Sequence, residues 1–398
     1  MKNKVFMYSM GCSRRLLDDT KLSNYFSLNG FQIINNPKNA DYILLSTCAY
    51  KRHQEDEAIK KVKELKKYKG KLIVCGCLPK INEKRLRSIF KGDTFTPSNI
   101  NYIDKIFPQF KIKFSKLGDA NKLIIQSKFG FNFYSLKLII KYFKSKIFKK
   151  YDSAIFVNYY FNYCIPWNYF IRVCWGCLGN CAYCGIRNAI GKLKSKPIET
   201  CIKELKEGLR EGYSNFNIIA DDVGAYGLDC NKTFPELLNK TIKINKSISI
   251  SIRDIHPKWV IKYLDQLIPI VKGGNIKLIS CPIESGNDRI LKLMNRYNNS
   301  SEIVSTLSKL KKAYPKLKII TQIIVGFPSE TERELENTLN MIKKIKFDFV
   351  LIFPYHEKEN TIASKLKGKL SERIIKERVK KVFYHLKREG INCFCDEL

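Results

Sequence analysis

The sequence predicts an α/β protein in which an N-terminal Rossmann-like parallel α/β domain is followed by a partial (β/α) barrel of the TIM type. Two observations predict this fold. Residues 1 to about 100 alternate short apolar runs with amphipathic stretches, and the alternation resumes from Ile171 to about Ser364. Such alternation is typical of the strands and helices that build parallel sheets.

The first predicted domain covers residues 1–108. Its apolar runs predict strands at 4–8, 31–34, 42–45 and 72–74 and helices at 16–28 and 58–68. Three cysteines, Cys12, Cys48 and Cys77, fall just after predicted strands. Because the carboxyl ends of parallel strands share one edge of an open α/β sheet, we expect these cysteines to lie along a single edge.

A basic, aromatic insert is predicted at residues 109–165. From Lys111 to Lys150 the chain has eleven lysines and only one acidic residue, Asp119, with Phe and Tyr interleaved. Basic residues with exposed aromatics are typical of single-stranded nucleic-acid binding, through phosphate contacts and base stacking. The alternative is a solvated linker with one amphipathic helix, whose apolar residues would be Leu136, Ile139, Ile140, Phe143 and Ile147.

The second domain is predicted at residues 166–365, and a C-terminal helix and tail at 366–398. Strands are predicted at 216–220, 247–252, 276–279, 318–325 and 347–353. Repeated βα units of this number fit a full or partial barrel. The last helix, predicted at 371–391, has apolar residues at helical spacing. In the tail, Cys393 and Cys395 could bind a metal or carry sulfur, but free surface thiols are the simpler interpretation.

Composition excludes several classes of protein. A chain of 398 residues with 44% hydrophobic content can form two or three cored domains, which excludes intrinsic disorder and a disulfide miniprotein. No apolar run approaches the roughly 18 residues of a membrane helix and no secretory signal is recognisable, so we expect a cytoplasmic protein. Lys and Arg number 72 against 37 Asp and Glu, a net charge of +35. This charge favours a polyanionic partner such as RNA, although AT-biased coding would produce a similar composition.

The fourteen cysteines indicate metal or redox chemistry rather than disulfides. Cys177, Cys181 and Cys184 stand in CLGNCAYC, a C-x3-C-x2-C spacing. Three thiolates on one tight loop can hold three irons of a [4Fe–4S] cluster and leave the fourth iron open to an exchangeable ligand. Gly179 permits the tight wrapping that this requires. A structural zinc site with Cys174 as the fourth sulfur is the alternative.

CLGNCAYC resembles the motif of the radical S-adenosylmethionine (SAM) enzymes, in which the open iron binds SAM and one electron cleaves it to a 5′-deoxyadenosyl radical. That resemblance places Tyr183 near the adenine. It narrows to the methylthiotransferases, whose N-terminal domain carries three cysteines for a second [4Fe–4S] cluster, matched here by Gly11-Cys12, Thr47-Cys48 and Gly76-Cys77. Cys75 would point to the opposite side of an extended strand, so Cys77 is the better ligand.

Further stretches resemble the branch of this family that modifies N6-threonylcarbamoyladenosine (t6A) in tRNA. They are GCLGNCAYC, DDVGAYGLD, MNRY and IIVGFPSET. The resemblance implies SAM contacts from Asp222 by hydrogen bonding, from Arg253 by pairing with the carboxylate and from Gly326 by close backbone approach. Glu284, in the segment that corresponds to the family's His-x-Pro-x-Gln-Ser-Gly, joins these cofactor-binding residues. Each stretch taken singly could be an ordinary barrel loop.

The sequence also departs from the family pattern. Arg15 and Ser46 stand where the family usually has Asn, Glu284 stands where it has Gln, Ile190 replaces an Arg and Gln322 replaces an Asp. We expect no counterpart of the family's C-terminal RNA-binding β-barrel, the TRAM domain, in this sequence. These departures leave both cysteine sets intact but alter the expected substrate chamber.

The resemblance therefore implies a radical SAM methylthiotransferase that converts C–H to C–S–CH3. Its cofactors would be two [4Fe–4S] clusters and SAM, with an electron donor such as flavodoxin or ferredoxin. The expected target is C2 of t6A in tRNA. The alternatives are a side chain of a protein or ribosomally synthesised peptide, and a non-catalytic iron–sulfur protein that binds RNA. No residue is identified as catalytic from the sequence.

Overall fold

The structure, a computed structural model, describes residues 3–123, 168–395 and 397. The described residues form two compact units, the first from residues 3–123 and 185–192 and the second from residues 168–184, 193–395 and 397. The helix predicted around residues 136–147, with the rest of the insert from residue 124 onward, lies outside the described residues.

The first unit is built on a parallel sheet of four strands in the order β2-β1-β3-β4. The strands are β1 (Lys4–Ser9), β2 (Gln32–Ile34), β3 (Tyr42–Thr47) and β4 (Lys71–Gly76). The helices are α1 (Ser13–Leu28), α2 (Arg52–Leu65), α3 (Leu78–Ile81), α4 (Glu83–Arg87), α5 (Ile103–Ile106) and α6 (Arg187–Ile190). The predicted Rossmann-like α/β domain is confirmed, because each predicted strand and helix overlaps an observed one.

Both faces of this sheet are buried, since successive side chains of a strand point to opposite faces. On one face, Ile43 and Val74 pack in a core that includes α2. On the other, Val5 packs with an aromatic cluster that includes Phe110 and Phe114. Tyr25 of α1 contacts both of these phenylalanines, with ring centroids 5.0 and 5.8 Å apart. The described start of the predicted insert, residues 109–123, therefore belongs to the first unit, because its phenylalanines complete that core.

The second unit contains a parallel sheet of seven strands in the order β13-β12-β11-β10-β9-β8-β5, and a short antiparallel pair, β6-β7. Its strands are β5 (Asn168–Arg172), β6 (Cys174–Trp175), β7 (Lys194–Ser195), β8 (Asn215–Ile219), β9 (Ser249–Ile252), β10 (Ile276–Ser280), β11 (Lys318–Val325), β12 (Phe349–Pro354) and β13 (Cys393–Phe394). Its helices are α7 (Ile198–Arg210), α8 (Phe234–Ile244), α9 (Pro257–Lys262), α10 (Leu264–Lys272), α11 (Asp288–Leu293), α12 (Ser300–Ala313), α13 (Glu332–Ile345) and α14 (Glu372–Arg388). From β8 to β13, neighbouring strands of the large sheet follow one another along the chain with helices between them, and β5 pairs with β8 after the intervening β6-β7 pair and α7. This arrangement confirms a partial (β/α) barrel.

Local side chains determine where several of these helices begin. Thr331 accepts a hydrogen bond from the backbone of Glu334, and the Glu334 carboxylate accepts one in return from the Thr331 N–H at 2.9 Å. This capping box satisfies two backbone donors that the first turn of α13 would leave unpaired. Asn287 and Asn299 cap α11 and α12 in the same manner with one hydrogen bond each. The capped ends fix where each barrel loop meets its helix.

The structure corrects the interpretation of the tail cysteines as surface thiols. Cys393 and Cys395 are both buried in the core of the second unit. The reason is that β13 pairs with β12 and adds a strand to the sheet, with Val350 opposite Cys393. Among the other cysteines outside both predicted sets, Cys230 is exposed. Of the described helices, none has the length and apolar character needed to cross a membrane.

Candidate functional site

Three cysteines lie at the carboxyl edge of the first unit's sheet. Cys12 follows β1 at the position just before α1, without a side-chain capping hydrogen bond, Cys48 follows β3 directly, and Cys77 lies between β4 and α3. Since β1, β3 and β4 are adjacent and parallel, these three strand ends are neighbours. The prediction that the cysteines share one edge is confirmed. Cys75 belongs to the core on the opposite face of the sheet from Cys77, as the alternation predicts.

The glycines that precede two of these cysteines allow close approach of the chain. Gly76 has a φ of +93°, and a Cβ on it would lie 2.3 Å from the carbonyl oxygen of Thr47. The N–H of Cys77 donates to that same oxygen at 3.1 Å. A Cβ on Gly11 would lie 2.3 Å from the Cβ of Arg15. Glycine is therefore required where Cys12 and Cys77 leave their strands.

Beneath this edge lies a buried polar cluster formed by Ser9, Asp19, Ser46 and Cys75. The Ser9 hydroxyl donates to the Asp19 carboxylate, and Ser46 also hydrogen-bonds to it. Burial raises the pKa of Asp19 to about 7, although both hydrogen bonds oppose the shift. Arg15, also buried, pairs with Asp18 at 3.3 Å. Two of the departures from the family pattern, Arg15 and Ser46, thus lie at this one edge.

The second cysteine set stands on the loop after β6 in the second unit. A Cβ on Gly179 would lie 3.1 Å from the Cys177 sulfur and 3.8 Å from the Cys181 sulfur. Both sulfurs therefore lie on the same side of the turn. The Gly179 N–H donates to the Cys177 sulfur at 3.1 Å. Backbone donors aimed at cysteine sulfur are the hydrogen bonds that tune iron–sulfur clusters, so this loop fits the expected cofactor.

Two backbone hydrogen bonds fix the position of this loop. The N–H of Ala182 donates to the carbonyl of Met294 at 2.8 Å, and the carbonyl of Ala182 accepts from the N–H of Ala363 at 2.8 Å. Ala182 is buried in a small core with Phe327 and Tyr355, and Tyr183 packs against it. The cysteines flank this anchored segment and so are held by the barrel rather than by a free loop.

Cys174, the fourth sulfur of the alternative zinc site, lies buried beside the loop after β8. Among the residues that the structure describes, no three His, Cys, Asp or Glu side chains form a group that could hold a metal ion, and this holds for both cysteine sets. The thiolates of one zinc ion lie within about 4 Å of one another because each bonds at about 2.3 Å, whereas a cluster places each thiolate on a different iron. Cys174 is buried, and its thiol donates to the Asp222 carbonyl at 3.7 Å. Burial raises the pKa of Cys177 to about 12, which favours the neutral thiol over the thiolate.

Arg296 is a residue of this site to which the sequence analysis gave no role. Its Nη1 lies 3.6 Å from the Cys181 sulfur, and its Nη2 donates to the Pro282 carbonyl. Its Nε is buried and has no hydrogen-bond partner among the described residues. The signal available in the sequence was the MNRY stretch, which contains Arg296, but nothing in its spacing connects it with Cys181.

The predicted SAM-binding residues lie at the carboxyl ends of four successive barrel strands. Asp222 follows β8, Arg253 follows β9, Glu284 follows β10 and Gly326 follows β11. Active sites of (β/α) barrels are built at this end of the sheet. The Tyr183 hydroxyl donates to the Glu284 carboxylate at 2.9 Å, which joins the cysteine loop to this row.

These residues differ in how free they are to contact a ligand. Both carboxylate oxygens of Asp222 accept internal hydrogen bonds, from the Trp259 indole at 2.6 Å and from the His256 N–H at 3.3 Å. Asp222 therefore holds the loop that follows β8. Glu284 has a φ of +68°, unusual for a residue other than glycine, and such strain is typical of ligand-binding positions. Burial raises the pKa of Glu284, opposed by the charge of Arg296.

Comparison with known proteins assigns the chain to a family. Residues 171–342 match the radical SAM superfamily, and residues 4–96 match an uncharacterised family designated UPF0004. The ribosomal protein uS12 methylthiotransferase RimO of Clostridium botulinum is 31% identical over 392 residues, which cover 96% of this chain and 81% of that protein. The chain belongs to the radical SAM methylthiotransferases. A probable threonylcarbamoyladenosine tRNA methylthiotransferase of Methanocaldococcus jannaschii is 27% identical, over 98% of this chain and 84% of that protein.

A solved structure supports the fold of this family member. The radical SAM methyltransferase TsrM of Kitasatospora setae aligns with a TM-score of 0.61 at 8% identity, over 91% of this chain and 77% of TsrM. As a member of this family the chain is an enzyme, and radical SAM methylthiotransferases carry two [4Fe–4S] clusters and use SAM. The alternative of a non-catalytic iron–sulfur protein is thereby set aside.

Proposed function

We propose that this methylthiotransferase acts on C2 of t6A in tRNA. The support is threefold: the DDVGAYGLD, MNRY and IIVGFPSET stretches, the net charge of +35, and two relatives, at 27 and 29% identity, whose names are probable threonylcarbamoyladenosine tRNA methylthiotransferase. A polyanionic substrate is attracted by such a charge over distances that depend on ionic strength.

The proposed ligands of the radical SAM cluster are Cys177, Cys181 and Cys184. The observation that carries this assignment is the close approach of the chain at Gly179, where an added Cβ would lie 3.1 Å from the Cys177 sulfur. When bound, this cluster supplies the electron that cleaves SAM. The task of the chain is to hold the reacting groups next to the target C–H, because positioning lowers the barrier of so demanding a step.

The proposed ligands of the auxiliary cluster are Cys12, Cys48 and Cys77. Their support is the shared edge of three adjacent parallel strands. Around SAM, we assign Tyr183 to the adenine and Glu284, Arg253 and Gly326 to its polar groups, with Asp222 as the residue that supports the loop.

Iron analysis tests the two cysteine sets. The anaerobically reconstituted chain is expected to hold about eight irons, four for each cluster. Replacing either cysteine set by alanine should leave about four irons per chain, and replacing both sets should remove all of them. A value of four or fewer in the unaltered chain would contradict the two-cluster assignment.

Mass spectrometry of nucleosides tests the target. The gene is expressed in a strain that contains t6A tRNA but no other enzyme that methylthiolates it. We expect 2-methylthio-t6A with the unaltered chain and none with either alanine set. Unchanged t6A in the presence of an iron-loaded, SAM-cleaving enzyme would reject the tRNA assignment while leaving the chemistry intact.

A ribosomal protein is the second candidate target. The specific observation in its favour is the 31% identity to RimO, which is named for ribosomal protein uS12. The same strains provide the test, because tryptic peptides of their ribosomal proteins would carry an added SCH3 group in place of hydrogen. Modified peptides with unmodified t6A would establish this target in place of tRNA.

A further inference from the structure

We propose that Arg296 is a positioning residue that stabilises the reduced form of the radical SAM cluster through its contact with Cys181. The inference rests on the proposed function, because it takes Cys181 as a cluster ligand. It concerns a residue at the cluster's sulfur rather than one that contacts SAM or the substrate.

The guanidinium of Arg296 is held at two points. Its Nη1 lies 3.6 Å from the Cys181 sulfur, while its Nη2 donates to the carbonyl of Pro282 in the loop after β10. The planar fork of arginine fixes the direction of the first N–H once the second is bound. The Cys181 contact is therefore imposed by the geometry of the barrel.

The turn that contains Arg296 is also hydrogen-bonded to the cysteine loop. The carbonyl of Met294, two residues away, accepts the N–H of Ala182 at 2.8 Å, and the N–H of Arg296 donates to Leu291 at 2.9 Å. Ala182 adjoins Cys181 in the sequence. Side chain and backbone of one turn thus hold the same cysteine segment, so the guanidinium and the sulfur keep their spacing.

The charge of Arg296 faces two carboxylates that also accept hydrogen bonds from other side chains. The carboxylates of Glu284 and Asp222 both interact with this charge, and each also accepts a hydrogen bond from another side chain, from the Tyr183 hydroxyl at 2.9 Å and from the Trp259 indole at 2.6 Å. The buried Nε of Arg296 has no partner among the described residues. Arg296 is only partly exposed, and a partly exposed charge acts more strongly on its neighbours than a fully exposed one, because water screens it less.

Reduction places one additional electron on the cluster and forms or breaks no bond. The electron comes from a low-potential one-electron reductant, for which dithionite serves in the test. The reduced cluster is more negative by one charge, so a fixed cation and an N–H···S contact stabilise it more than the oxidised cluster. Removing Arg296 should therefore make reduction less favourable.

The test is a redox titration followed by electron paramagnetic resonance on the full chain. Cys12, Cys48 and Cys77 are replaced by alanine so that a single cluster remains. In this background, Arg296→Gln is compared with Arg296→Lys and with the matched control Lys292→Gln, which removes a positive charge from an exposed position on α11. Iron is measured in each sample before titration.

We expect Arg296→Gln to make the reduction equilibrium about tenfold less favourable, a fall of about 59 mV for one electron. Arg296→Lys should fall less in the same direction, since lysine keeps the charge but lacks the fork, and Lys292→Gln should match the parent. A parental potential in either Arg296 variant that holds a full cluster would overturn the proposal. Failure of both variants to assemble a cluster would assign Arg296 a structural role and overturn it equally. Absence of a cluster in the parent would instead contradict the proposed function.

Discussion

Gly76→Ala tests how the auxiliary edge is built. Gly76 ends β4 with a φ of +93°, and its Cβ position lies 2.3 Å from the oxygen and 2.7 Å from the nitrogen of Thr47. Real Cβ atoms do not approach backbone this closely, so either β3 or β4 must shift. Because Cys77 donates to the same Thr47 oxygen at 3.1 Å, a shift displaces Cys77 from its neighbours.

Gly30→Ala is the matched control. Gly30 lies in the same unit with a φ of +85°, but a Cβ there meets nothing within 4 Å. It therefore reports backbone strain alone, about 1–2 kcal/mol of unfolding free energy. Gly76→Ala adds steric overlap, which costs about 1–3 kcal/mol in packed interiors. We expect a loss of about 1–2 kcal/mol for Gly30→Ala and about 2–5 kcal/mol for Gly76→Ala.

Two measurements check this difference. Urea unfolding of the full chain compares the two variants with the unaltered protein. Iron content is then measured with Cys177, Cys181 and Cys184 replaced by alanine, so that only the auxiliary cluster contributes. We expect Gly30→Ala to keep its iron and Gly76→Ala to lose most of it. Equal destabilisation of the two variants, or full iron in Gly76→Ala, would refute the close-approach argument.

Three further predictions concern buried polar groups. Burial raises the pKa of Asp19 from 3.8 to about 7, so between about pH 4 and 7 the folded state binds a proton that the unfolded state has lost. The free energy of unfolding should therefore fall as pH rises through this range. Urea unfolding at pH 5 and 8 measures this fall, and Asp19→Asn should flatten it. Arg289 lowers the pKa of Glu334 from 4.5 to about 2, so this pair stabilises the fold above pH 4.5 and its contribution is lost as pH falls toward 2. Arg289→Ala should therefore shift the midpoint of acid unfolding to higher pH. An unchanged midpoint would contradict the pairing. Trp259→Phe removes the 2.6 Å donor to buried Asp222 and should cost about 1–3 kcal/mol in thermal unfolding, whereas no loss would mean that Asp222 finds another donor.

Much of the fold could be predicted from the sequence because the signals are local. The apolar run at 318–325 became β11 (Lys318–Val325), and the periodic segment at 371–391 became α14 (Glu372–Arg388). The alternation of the two faces also placed Cys75 and Cys77 in different cores. Burial of one side of a strand or helix imposes its period on neighbouring residues, so a short window is sufficient to read it.

Other features depend on residues far apart in the chain. Arg296 meets Cys181 across 115 positions, and Tyr183 meets Glu284 across 101. The sequence assigns Phe110 to the basic insert, whereas in the structure its ring centroid lies 5.0 Å from that of Tyr25 in the core of the first unit. The composition of the chain and the spacing of its residues do not predict such partners.

The sequence by itself predicted the principal strands and helices, the two cysteine sets and the family, but not the β6-β7 pair or β13. Only the tertiary structure showed that Cys393 is buried, that the Asp222 carboxylate accepts a hydrogen bond from the Trp259 indole, and that the Arg296 guanidinium contacts the Cys181 sulfur. The physical reason is that secondary structure follows from local periodicity and backbone preference, whereas a side chain's partner and degree of burial follow from how distant strands and loops pack.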